Sequence, residues 1–232
     1  MAAPQEIIEV DRTPKASRES RWSADLPDDR NYIAVSGNMG TGKSSLVEFL
    51  CQQWDFQPFF EPNAGNPYLE DFYADMSRWS FHSQVHFLTA KFKLHLEMDE
   101  SPHDVIQDRT IWEDAEIFAE NLLQRGRMSE REYETYRQLY ESIQDRIRAP
   151  DLMLYLHCPV ETIQKRIEIR GREMEKDVPE GYLAQLQGLY EDWIDSYSLS
   201  PIVIIPTHKL DYMTNLVERH DIIKTIEKYI AA

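Results

Sequence analysis

Gly37-Asn38-Met39-Gly40-Thr41-Gly42-Lys43-Ser44 is the stretch on which the fold turns. It follows the apolar run Tyr32-Ile33-Ala34-Val35 and precedes Ser45-Leu46-Val47-Glu48-Phe49-Leu50, so it reads as strand, glycine-rich turn and helix. A phosphate-binding P-loop requires that context. Three glycines let the backbone close around a triphosphate. The N–H groups from Asn38 to Ser45 then face phosphate oxygens at the positive end of the helix dipole. Lys43 is placed to reach the outer phosphates, and the Ser44 hydroxyl to hold Mg²⁺. A glycine-rich turn that merely joins a strand to a helix rarely carries the full G-x4-G-K-S. The motif licenses phosphate binding and leaves the substrate open.

The 232-residue chain carries 25 Lys and Arg against 41 Asp and Glu, a net charge of −16. Nucleic acid and anionic membrane are repelled by such a surface, so neither is an expected partner. A small anionic ligand needs a local pocket of arginine and lysine. Cys51 and Cys158 suit a reducing compartment and read as core thiols. No apolar run approaches the roughly 20 residues of a membrane span, and the histidines show no metal-ligand spacing with the cysteines. Residues 1–29 mix proline, serine and both signs of charge, which reads as a poorly ordered arm with no secretory h-region. Residues 30–232 are expected to form one domain, in the cytoplasm.

Strands are expected at Tyr32–Val35, Phe56–Phe60, Asp104–Gln107, Asp151–His157 and Ile202–Ile205, with helical periodicity between them. The alternation implies a five-stranded parallel sheet with helices on both faces. From Trp79 to about Met98 the apolar spacing is helical, which puts Gln84, Leu88 and Lys91 on one face. Arg166 and Arg170 lie one helical turn apart, and Gly171 breaks the helix so that Arg172 can swing on a loop. In an otherwise acidic chain these three arginines supply the local anion site.

Glu61-Pro62, Tyr73 and Arg78-Trp79-Ser80-Phe81-His82-Ser83-Gln84, following a P-loop in this order, resemble the deoxynucleoside kinase family. Its members transfer the γ-phosphate of ATP to the 5′-hydroxyl of a deoxynucleoside. The resemblance implies that Glu61 is the general base, Tyr73 meets the sugar 3′-hydroxyl and Gln84 reads the base edge. Asp108-Arg109-Thr110 resembles the family's acid-Arg-Ser/Thr motif, in which the acid supports Mg²⁺ and the arginine contacts the substrate's 5′ end. An arginine suits that contact because its planar fork stays charged. Asp114 matches the family's base-reading aspartate. Arg166 to Glu175 resembles the lid, with Arg166, Arg170 and Arg172 on the phosphates and Glu175 at the 3′-hydroxyl. Tyr182 fits a sugar-side tyrosine, and Asp211-Tyr212 the adenine-side loop. The resemblance covers roughly residues 31–230. Two departures fall near the base: Asn63-Ala64-Gly65-Asn66-Pro67 lacks the tryptophan common in animal members, and Lys91 stands where many members have arginine.

The expected function is therefore ATP- and Mg²⁺-dependent 5′-phosphorylation of a deoxynucleoside. An ionised Asp114 only accepts hydrogen bonds, which favours a base with an amino group over thymine. Lys91 as a donor to N7 or O6 points towards a purine, deoxyadenosine or deoxyguanosine, with deoxycytidine as the alternative. A thymidylate kinase-like monophosphate kinase and a non-catalytic nucleotide switch are the rival readings. A homodimer is expected from the resemblance and from an aromatic stripe over Tyr182–Trp193, taken as exposed.

Overall fold

In the computed structural model the described residues are 4–12, 30–60, 65–171, 181–210 and 215–230. Strand β2 (Tyr32–Ser36) is buried at every position. Its alternation sends Ile33 and Val35 to one face of the sheet and Tyr32 and Ala34 to the other. The first face packs on Leu46, Val47 and Leu50 of α1 (Lys43–Gln53) and on Ile222 and Ile226 of α9 (Leu216–Ile226). The second packs on Met98 of α3 (Met76–Glu100) and on Leu186, Tyr190 and Ile194 of α8 (Tyr182–Ser196). Continuous apolar strands are what a sheet covered on both faces demands.

The sheet has six strands in the order β1-β6-β5-β2-β4-β3. Strands β3 (Gln57–Phe59), β4 (Val105–Asp108), β5 (Leu152–His157) and β6 (Ile202–Pro206) join β2 in the expected parallel set of five. The sixth corrects the expected count. β1 (Ile8–Val10), from the segment read as a poorly ordered arm, pairs antiparallel with β6. Three residues are too few to show a period. Glu9 is held at the far side of the chain by Lys228 Nζ at 2.6 Å and Tyr229 Oη at 3.0 Å. The strand covers an edge of β6 that would otherwise be open to other chains.

β2 sits between β4 and β5, so the chain runs to one side of it for β3 and β4 and to the other for β5 and β6. The crevice at the carboxyl end of β2 is the switch point where ligands of open α/β sheets bind. The remaining helices are α2 (Leu69–Ala74), α4 (Ile111–Glu113), α5 (Glu120–Gln124), α6 (Glu130–Gln144) and α7 (Val160–Arg170). The Ser129/Glu132 capping box forms as its spacing suggests, and Gly171 ends α7 at φ 65°.

Two expectations about helices need correction. The helix that the spacing suggests from about Glu113 to Gln124 is not regular: Asp114–Ala119 forms a π-helical segment between α4 and α5. The aromatic stripe of α8 is not an exposed face either. Tyr182, Leu186 and Tyr190 are buried in the chain's own core, because α8 lies against the sheet. Among the described residues no helix is long and apolar enough to cross a membrane. Cys51 and Cys158 are free thiols, as expected.

Candidate active site

The glycine-rich turn has the shape its sequence requires. Gly37 sits at φ 145°, and a Cβ there would lie 2.7 Å from the Leu156 carbonyl oxygen. Any side chain would therefore push the loop off β5. Lys43 is buried, and its ammonium donates to the carbonyls of Gly37 and Asn38, both at 3.0 Å. The loop is also tied to α8: Asn38 Nδ2 donates to the Leu183 carbonyl at 3.0 Å and to Gln187 Oε1 at 3.3 Å. Thr41 Oγ1 braces the turn from inside by donating to the Asn38 carbonyl at 2.9 Å. Gly40 packs against Ile163 and Ile167 of α7.

At the next strand end, the Ser44 hydroxyl donates to Asp108 Oδ2 at 2.6 Å. Asp108 Oδ1 is buried and has no hydrogen-bond partner among the described residues. Two hard oxygen ligands with spare acceptor capacity beside a phosphate loop fit Mg²⁺. Arg109 follows at φ 65°, the one non-glycine residue with positive φ among the described residues. This costly backbone carries the guanidinium over the Phe118 ring at 4.5 Å. Phe118 belongs to the π-helical segment, as does Asp114, and such bulges recur at functional sites.

The face of α3 reads as expected: Gln84, Leu88 and Lys91 are all buried. Gln84 Oε1 has no hydrogen-bond partner among the described residues. The Lys91 ammonium donates to Asp114 Oδ1 at 2.8 Å and to the Thr110 carbonyl at 3.2 Å. Lys91 is thus engaged by protein oxygens where the sequence suggested a donor to the base. Tyr182 is buried near Tyr73, Arg109 and Arg125. Burial pushes the Tyr182 phenol far up, the nearby Tyr73 adds to the rise, and Arg109 and Arg125 oppose it.

The arginines of α7 separate. Arg166 donates to Thr41 O at 3.2 Å, Thr207 Oγ1 at 3.2 Å and Thr207 O at 2.6 Å, which makes it a strut between the phosphate loop and the turn after β6. Arg170 is exposed at the last position of α7. Glu61, Arg172, Glu175, Asp211 and Tyr212 lie outside the described residues.

Sequence reasoning missed Glu113, Gln187, Tyr190 and Phe118. Glu113 is wholly buried. Its Oε2 accepts from Thr110 N at 2.7 Å and Thr110 Oγ1 at 3.0 Å, and its Oε1 from Tyr190 Oη at 2.9 Å and Gly37 N at 3.4 Å. One signal was available. Thr110-Ile111-Trp112-Glu113 is a capping box, which places the glutamate back against the Asp108-Arg109 turn.

Comparison with known proteins places the chain among its relatives. The model of the deoxynucleoside kinase family matches residues 33–231. A deoxyadenosine/deoxycytidine kinase of Bacillus subtilis (strain 168) is 36% identical over 202 residues, covering 86% of this chain and 93% of the relative. A deoxyadenosine kinase of Dictyostelium discoideum is 34% identical, covering 72% of this chain and 68% of the relative. The solved structure of deoxyadenosine kinase from M. mycoides with bound dATP superposes with a TM-score of 0.76 at 27% identity, covering 84% of this chain and 99% of that one.

Proposed function

Because this chain belongs to the deoxynucleoside kinase family, we propose that it transfers the γ-phosphate of Mg²⁺-bound ATP to the 5′-hydroxyl of a deoxynucleoside whose base carries an amino group, a purine first. The observation that carries the base preference is the Lys91–Asp114 pair, with Gln84 on the same face of α3. A lysine at 2.8 Å keeps the aspartate an acceptor and fixes its direction, so an amino group is favoured and the thymine carbonyl at that edge is repelled. With Lys91 held by Asp114 and Thr110, the purine reading no longer needs a lysine contact to the ring. It draws instead on the deoxyadenosine-directed relatives, of which the Bacillus enzyme is named for deoxycytidine as well.

In this mechanism the loop amides and Lys43 hold the triphosphate, while Arg109, stiffened by its turn and by Phe118, grips the reacting end of the acceptor. Glu61 accepts the 5′-hydroxyl proton as the new P–O bond forms and the bond to ADP breaks; that role stands on the sequence. Tyr73, Tyr182 and Glu175 bind the sugar, Arg170 and Arg172 the transferring phosphate, and Asp211-Tyr212 the adenine. Ser44 and Asp108 would hold Mg²⁺, which when bound neutralises developing charge on the phosphate oxygens. Arg166 positions the phosphate loop from behind.

The protein acts as a homodimer. Support comes from Leu96 of α3 and Leu139 of α6, large apolar side chains left exposed on neighbouring helices, rather than from α8. Free cysteines support a cytoplasmic setting. Incubating the protein with ATP and either deoxynucleosides or deoxynucleoside monophosphates, with products resolved by mass, tests the reaction. Phosphorylation of the deoxynucleosides at the 5′ position is expected; phosphorylation of monophosphates alone would overturn it in favour of the thymidylate kinase-like reading.

A further inference from the structure

Glu113 joins three parts of the molecule that have to stay in register. Its two carboxylate oxygens face opposite ways. Oε2 takes both donors of Thr110, the residue that follows the strained Arg109. Oε1 takes the first N–H of the phosphate loop, Gly37, and the phenol of Tyr190 on α8. The donor and acceptor halves of the site thus share one buried anion. Hydrogen bonds to a charged acceptor are the strong ones. Burying a carboxylate is costly, and a fold retains one where it holds a geometry.

α8 contributes in the same sense. Leu183, Gln187 and Tyr190 fall at i, i+4 and i+7, and this face meets the phosphate loop through Asn38 and through Glu113. Tyr190 is fully buried, so its hydroxyl is directed by the core and not by solvent.

We propose that Glu113, oriented by Tyr190, is a positioning residue that sets the distance between the phosphate loop and the Arg109 turn, and so aligns the γ-phosphate with the acceptor hydroxyl. The inference rests on the kinase reading above. Its signature follows from the two-sided geometry. Loosening Glu113 leaves each half able to bind its own ligand, while alignment between them is lost. Misplacement by about 1 Å costs on the order of 100-fold in rate.

The test is Glu113→Gln and Tyr190→Phe, alone and together, with kcat and the KM for ATP and for deoxyadenosine measured per folded molecule. In Glu113→Gln the amide group must face one pair of donors, so roughly a 10- to 100-fold fall in kcat is expected, with both KM values within about threefold of the parent. Tyr190→Phe keeps the ring and removes one bond, for a fall in kcat of about three- to tenfold. In the double variant the tyrosine change adds little to the glutamine change, because both act through one contact. A parental kcat per folded molecule in Tyr190→Phe overturns the proposal, including where Glu113→Gln does not fold. Full additivity in the double variant also overturns it. An inactive parent protein instead sinks the kinase reading, so the two failures are distinguishable.

Discussion

Lys91 and Asp114 form an ion pair at 2.8 Å in which the lysine is wholly buried and the aspartate side chain is 5% exposed. The pair links the long helix α3 to the first residue of the π-helical segment. Two charges out of water gain little net stability together, yet losing one partner is expensive. Lys91→Met is therefore expected to lower the unfolding free energy by about 3–5 kcal/mol. Adding Asp114→Asn should recover part of that loss. Denaturant midpoints check this, and a single-variant loss below about 1 kcal/mol contradicts it.

The Ser44–Asp108 contact yields a second expectation. Asp108→Asn removes a negative charge and a hard oxygen from the end of β4, where Asp108 accepts from the Ser44 hydroxyl at 2.6 Å. The Mg²⁺ concentration for half-maximal rate should rise by roughly tenfold or more, in line with the loss of a metal-site carboxylate. An unchanged Mg²⁺ titration removes Asp108 from the metal site.

The phosphate loop and the strand-end triplet were legible in the sequence, for identifiable reasons. Gly37 to Ser44 is a local motif whose backbone follows from its own glycines. The acid-Arg-Thr triplet closes a strand end, where topology fixes its place. What escaped depends on tertiary packing. β1 is only three residues long, and its partner β6 lies almost two hundred residues away. The π-helical turn has no signal in hydrophobic spacing. The α8 stripe has the same periodicity whether it meets the chain's own sheet or another subunit. Lys91 read as a donor to a ligand because its pairing with Asp114, 23 residues away, is visible only once α3 and the π-helical turn are brought together.

His95 provides a pH dependence. It is four residues beyond Lys91 on the buried face of α3, with its ring edge-on to Tyr32 and Trp112. Burial, aided by the Lys91 charge, lowers its pKa from 6.5 to about 3. Below pH 6.5 the unfolded chain takes up a proton there that the folded chain refuses until about pH 3. Stability is therefore lost as pH falls through that window, at up to about 1.4 kcal/mol per pH unit from this group. Comparing unfolding free energies of the parent and His95→Asn between pH 6 and pH 4 should show a shallower slope in the variant. Equal slopes contradict a neutral buried His95.

Under the proposed function, Asp114, held as an acceptor by Lys91, selects bases bearing an amino group. A site built to hydrogen-bond a substrate group rejects analogues lacking it by as much as about 10⁴. The direct measurement is kcat/KM of the purified enzyme for deoxyadenosine, deoxyguanosine, deoxycytidine and thymidine at saturating Mg²⁺-ATP. Deoxyadenosine or deoxyguanosine is expected first and thymidine last. Deoxycytidine in first place would remove only the purine preference, whereas thymidine as the best substrate would contradict the assignment of the Lys91–Asp114 pair.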